Sequence, residues 1–169
     1  MTTDSIGQPD LSLKAYGSAL ALVWFLLDQG TKWWILHAAL TTHETIHVTP
    51  FFNLALGWNK GISFGMLDGY DLPPWTLALL SGVLTAGLTI WLLRTDSRLV
   101  AASLALIIGG AFGNALDRIR HGAVTDFLDF HAFGWHWPTF NIADVGIVCG
   151  VAVLVLESFV TRERGEPTN

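Results

Sequence analysis

The chain has 169 residues and a net charge of −5; 51% of its residues are hydrophobic and only 14% are charged. Its mean hydropathy is +0.48. A soluble domain carries about 25% charged residues, so an ordinary water-soluble globule is excluded. No basic stripe or low-complexity tail is present, and no nucleic-acid partner is expected. The single cysteine, Cys149, excludes an internal disulfide and reads as a small packing residue.

Residues 1–13 are largely polar, contain Pro9, and are expected to be disordered. The first apolar run, 16–40, is long enough to cross a bilayer, which takes about 20 helical residues. Lys14 ahead of the apolar stretch Ala19–Leu27 imitates a cleaved signal peptide. Apolar character resumes after Asp28 and Lys32, however, beyond an h-region of about 7–15 residues, and a retained span is expected. Asp28 and Lys32 are four apart and share a helical face. They read as an ion pair that neutralises itself while facing protein or water rather than lipid.

Residues 41–71 interrupt the helical pattern. Thr45-Ile46-His47-Val48-Thr49 is mostly β-branched, Pro50 follows, and Phe51–Leu56 continues in a strand-like manner up to the turn signal Asn59-Lys60-Gly61. A small sheet-like platform on the outer membrane surface is expected there. Pro73-Pro74 marks the first turn of a second span, 72–93. The third, 99–116, ends in Gly109-Gly110-Ala111-Phe112-Gly113-Asn114, whose small residues allow close helix approach. Asn114 and Arg118 share a face and can point into one cavity, whereas Arg120 is expected to snorkel to headgroups. The fourth span is 142–160.

Basic residues set orientation more than acidic ones do. Lys14, Arg94, Arg98, Arg162 and Arg164 fall on one side and Lys60, Arg118 and Arg120 on the other, which predicts both termini in the cytoplasm. Trp33, Trp34, Trp75, Trp135 and Trp137 would form an outer aromatic belt, with Trp91 at the inner boundary. Trp24 and Trp58 do not follow the rule.

The chemistry concentrates in two acidic motifs, Val124-Thr125-Asp126-Phe127 and Phe140-Asn141-Ile142-Ala143-Asp144. Two carboxylates brought together can share one proton, the ionised member taking a proton from water and the other donating to the carbonyl. Like charges about 3 Å apart cannot both persist, so their pKa values separate. Asn141 and Asp144 also fit a helix cap with an acidic residue at its third position, and Asp129 reads as a solvated turn residue. His43-Glu44-Thr45-Ile46-His47 matches the zinc-protease pattern H-E-x-x-H. That pattern works on a helix, and the residues around it favour a strand or loop. Ser63 and Ser81 lie in no nucleophile-elbow context.

Taken together, the motifs resemble those of the lipoprotein signal peptidases (signal peptidase II), bacterial membrane aspartyl peptidases. Asp28-Gln29-Gly30-Thr31-Lys32 looks like that family's first-span motif, and Asn59-Lys60-Gly61-Ile62-Ser63-Phe64-Gly65 resembles its N-x-G-x-[AS]-F segment. Gly109 through Arg118 is similar to its third-span motif, and the two acidic motifs look like its catalytic ones. Ser63 stands where the family often has alanine, and residues 1–13 fall outside the motifs.

The resemblance implies a mainly α integral membrane protein of four transmembrane helices with a small β-cradle on the outer face, forming one domain over 1–169. It implies cleavage before a diacylglyceryl-modified cysteine, catalysed by Asp126 and Asp144 without a metal or other cofactor. Asn59, Asn114, Arg118 and Asn141 would hold the substrate, with Asp28 and Lys32 in support. Expected partners are lipid-modified prolipoproteins, membrane lipids and globomycin-type cyclic peptide inhibitors, and the enzyme is expected to be monomeric in the bacterial inner membrane. The alternatives are a zinc metalloprotease using His43, Glu44 and His47, and a transporter or assembly factor using the same charges as an ion pathway.

Overall fold

The computed structural model describes residues 11–40, 45–61 and 73–165. Helix α1 (Leu11–Trp34) continues into a π-helical turn, Ile35–Ala39; α2 is Pro74–Leu92, α3 Arg98–His121 and α4 Ile142–Gly165. Each is long and apolar enough to cross a membrane. Strands β1 (Ile46–Thr49), β2 (Phe52–Asn59), β3 (Val124–Ala132) and β4 (Trp135–His136) form one antiparallel sheet in that order.

More than half of the α3 span is buried, against about a fifth of each other span, so α3 is the central helix. Its small residues make this possible. A Cβ on Gly109 would lie 2.5 Å from the carbonyl oxygen of Ala21 on α1, and one on Gly110 would run into the carbonyl oxygen of Ala143 on α4. Backbones that approach this closely replace the hydrophobic drive that is missing between helices in lipid. Trp24, which fits no aromatic belt, packs against Gly146 and fills the space between α1 and α4. One apolar cluster, built around Leu92, Leu104 and Ile108, joins α1, α2 and α3. A second, Ile35, Leu40 and Phe127, seats the sheet on the end of α1.

The spans and the structure differ at their ends. Apolar run 16–40 corresponds to a helix starting at Leu11, and run 99–116 to one ending at His121. The extra turn of α3 is helical because Asn114 and Asp117 are buried against protein rather than lipid. Ser97 starts α3 by accepting a hydrogen bond from the Val100 N–H at 3.2 Å. Gly122, at φ 73°, ends it with its N–H on the Arg118 carbonyl. That left-handed turn sends the chain straight into β3.

The sheet is also larger than residues 41–71 suggest. β3 pairs with β2 over Phe52↔Phe130 to Asn59↔Val124, and the short β4 pairs back onto β3. Half of the cradle therefore comes from the segment between α3 and α4.

Candidate active site

Asp126 lies on β3 and Asp144 in the first turn of α4. They are joined through asparagines. Asn141 Nδ2 donates to Asp126 Oδ1 at 2.6 Å, while Asn141 Oδ1 accepts from the Asp144 N–H at 3.0 Å. Asp144 Oδ2 in turn accepts from the Asn141 N–H at 3.3 Å. Asn59, at the end of β2, donates to Asp126 Oδ2 at 3.1 Å, and Asn114 Nδ2 donates to Asp144 Oδ1 at 2.8 Å. The cap expected at Asn141–Asp144 exists, and its Asn141 side chain also reaches Asp126.

Asp126 is 2% exposed. Burial, reinforced by the neighbouring Asp144 charge, pushes its carboxyl up to about 7 against the pull of the Asn59 and Asn141 amides. Its strand lies outside the apolar spans, and the sequence gap between Asp126 and Asp144 is closed by β4 and the segment after it. Phe140 accepts from the Phe127 and Leu128 N–H groups at 3.0 and 2.9 Å, drawing α4's start onto β3.

Beneath the pair lies a buried ionic cluster. Lys32 Nζ is 2.9 Å from Asp28 Oδ2 and 3.0 Å from Asp117 Oδ2, and it donates to Asn114 Oδ1 at 2.9 Å. The expectation of a self-neutralising Asp28–Lys32 pair therefore needs correcting: Lys32 is shared with a second carboxylate. Asp28 Oδ1 accepts from the Ala143 N–H at 2.9 Å, so the first span grips the start of the fourth. Asp117 Oδ2 accepts from the Thr125 N–H at 2.9 Å and thereby fixes the strand position next to Asp126. Gln29 reaches both Asp28 and Asp117 through its side-chain amide. Asp117 and Gln29 were not singled out from the sequence. The available signal was Asp117's place three residues after Asn114, on the same helical face.

Arg118 Nη2 donates to the Gly61 carbonyl at 2.6 Å, and its buried Nε has no partner among the described residues. It lines a groove of about 290 Å³ with Asn59, Leu84, Asn114, Asp144 and Ile147. A second groove of about 320 Å³ runs along α4 and is walled by Asn59, Trp137, Phe140, Asp144, Val148 and Cys149. The two grooves meet at Asn59 and Asp144, and their walls are otherwise mostly apolar. Cys149 is exposed on this wall rather than packed inside, because its face of α4 meets the groove and not α3. Arg120 is exposed.

Two readings fail on geometry. Asp129, expected in a solvated turn, is buried on β3, where Asn53 Nδ2 donates to it at 2.8 Å and His136 Nδ1 lies 2.7 Å away. His47 of the zinc-like pattern sits on strand β1, with Nδ1 2.8 Å from Asn53 Oδ1. A strand does not give the helical spacing that H-E-x-x-H requires. His43, Glu44 and Ser63 lie outside the described residues.

The profile of the family described as signal peptidase (SPase) II, Peptidase_A8, matches residues 20–160. A lipoprotein signal peptidase of Methylobacterium sp. (strain 4-46) is 43% identical over 152 residues, covering 89% of this chain and 92% of that protein. One of Beijerinckia indica is 40% identical over 159 residues, covering 93% and 95%. A bacterial membrane enzyme solved by the in meso method at 2.3 Å resolution superposes with a TM-score of 0.79 at 24% identity, covering 92% of this chain and 94% of that one. The structural likeness carries the fold; the sequence matches carry the family, and with it a proteolytic activity that displaces the transporter reading. The chain is an integral membrane protease and belongs to the signal peptidase II family.

Proposed function

We propose that this protease removes the signal peptide from diacylglyceryl-modified prolipoproteins, cutting before the lipidated cysteine with Asp126 and Asp144 as its catalytic pair. The observation that carries the reading is Asn141, which donates to the Asp126 carboxylate from its side-chain amide and to the Asp144 carboxylate from its backbone N–H, with the Asp126 carboxyl raised to about 7 by burial and by Asp144. Such a pair holds one proton near neutral pH.

The ionised member of the pair takes a proton from a water molecule as that water attacks the scissile carbonyl. The protonated member donates its proton to the developing oxyanion, and the pair then returns a proton to the leaving amine. Asn59 and Asn114 orient the carboxylates by their amide bonds. Arg118, with its unpartnered Nε, has a donor available for a substrate carbonyl. Lys32, Asp28 and Asp117 hold the start of α4 and the start of β3 in place. The two apolar grooves meeting at Asp144 suit a substrate with an apolar signal helix on one side of the cut and acyl chains on the other. This scheme places the site at the outer membrane boundary with both termini cytoplasmic, and makes globomycin-type cyclic peptides competitors for the grooves.

The test is cleavage of a diacylglyceryl-modified prolipoprotein by the purified wild type, Asp144→Asn and Glu44→Ala. Loss in the aspartate variant alone supports the aspartyl mechanism. Loss in the glutamate variant alone would assign the chemistry to a zinc site and overturn it.

A further inference from the structure

A polar relay crosses the sheet away from the catalytic pair, and each strand contributes to it. His47 on β1 faces its register partner Asn53 on β2, whose amide donates to its own register partner, Asp129 on β3. Asp129 Oδ1 lies 2.7 Å from His136 Nδ1 on β4, and the ring of His131 stacks on that of His136 with centroids 4.9 Å apart. The side chain of Asp129 is 5% exposed and that of His136 55%. Burial alone would raise Asp129, but the Asn53 amide and His136 hold its carboxyl below the ordinary range. Asp129 is therefore ionised wherever histidines titrate, and the strength of its bond to His136 depends on the charge of that ring.

His136 is the last residue before a short strap, Trp137-Pro138-Thr139-Phe140, which forms one wall of the groove along α4. The far end of the strap is tied by Phe140 to Phe127 and Leu128. The near end is tied by the Trp137 N–H, which donates to the Phe130 carbonyl at 2.8 Å, and by His136 on Asp129. Between these ties the strap passes close over β2: a Cβ on Gly57 would lie 2.9 Å from Thr139 Oγ1.

We propose that Asp129 and His136 form a pH-dependent latch that sets the width of this groove. Protonated His136 holds the strap against β3 more tightly than the neutral ring does, so substrate affinity responds to pH while the chemical step does not. Both are positioning residues. Among the described residues the other ionisable groups facing the pair are His131 on β3 and, through Asn53, His47 on β1. The nature of the occupant rests on the signal peptidase reading above; the latch itself does not.

The full chain is tested in two ways. With prolipoprotein, the wild-type KM should be about five-fold lower near pH 5.5 than near pH 8, the difference between a charged and a neutral hydrogen bond. His136→Gln should show the same KM at both pH values, and His136→Arg should keep the low KM at both. The pH profile of kcat should be shared by all three. Without substrate, the alkylation rate of Cys149, on the wall of that groove, is divided by the rate in His136→Gln at the same pH, which cancels the thiol's own ionisation. This ratio should rise as pH rises. A constant labelling ratio, or a His136→Gln KM profile identical to the wild type, overturns the latch. A changing ratio in a protein that cleaves no prolipoprotein supports the latch and sinks the substrate reading instead.

Discussion

Asn141 and Asp144 cap each other at the start of α4, the side-chain oxygen of each accepting from the backbone N–H of the other. The cap and the link between the two carboxylates are one arrangement here. The cap points the Asp144 carboxylate while leaving Asn141 Nδ2 free to bind Asp126.

The two roles separate by substitution. Asn141→Ser retains a capping oxygen and loses the amide donor; Asn141→Ala loses both. Thermal unfolding in detergent should place Asn141→Ser within a few tenths of a kcal/mol of the wild type and Asn141→Ala about 1 kcal/mol below it. Both should lose activity at least about ten-fold, the loss of one charge-assisted hydrogen bond. Wild-type turnover by Asn141→Ser would show that the bridge to Asp126 is dispensable.

Asp126 links activity to stability in opposite senses. Its folded-state pKa, about 7, lies above the unfolded value of about 3.9. Its contribution to stability is therefore intact below about pH 4 and is lost as pH rises through about 7. Asp126→Asn should abolish cleavage, leave the melting temperature unchanged near pH 4, and raise it near pH 8. A melting temperature lowered at both values would mean that the carboxylate is a structural ion.

The alkaline limb of the rate profile should come from the same group. In the His136→Gln background, kcat/KM should fall as pH rises through about 7, when the shared proton leaves. Asn59 donates to the ionised form of Asp126 and so pulls its pKa down. Asn59→Ala should lower the maximum rate and move the limb to higher pH. A limb that stays in place or moves to lower pH would separate Asn59 from the titrating carboxyl.

Lys32 holds Asp28 and Asp117 together in a site where its own side chain is 3% exposed. Removing the cation leaves two buried carboxylates facing each other. Lys32→Met should cost about 3–5 kcal/mol, as breaking a buried ion pair from one side does. Equilibrium unfolding in mixed micelles reads this directly, and a loss below about 1 kcal/mol would mean that the cluster is already open to water.

Much of this was legible in the sequence because hydropathy is local. Four apolar runs gave four spans, Pro73-Pro74 stood at the start of α2, and Asn114 and Arg118 lay one helical turn apart and line one groove. What escaped was non-local. β3 is buried on both faces around Asp126, so Val124–Asp129 shows no clean alternation of apolar and polar residues, and the second half of the sheet went unread. Asp129 looked solvated because the amide that satisfies it belongs to Asn53, 76 residues earlier. Asp117 was hidden for the same reason: its cation is on α1.

The bond from Asp28 to the Ala143 N–H spans 115 residues, from the first helix to the last. In a chain emerging in order from the ribosome, Asp126 precedes Asp144 by 18 residues. Until the first turn of α4 docks on Asp28, the proposed catalytic pair has only one of its two carboxylates in place. On the proposed two-aspartate mechanism, the last helix is therefore the piece that completes the active site, and cleavage has to wait for it.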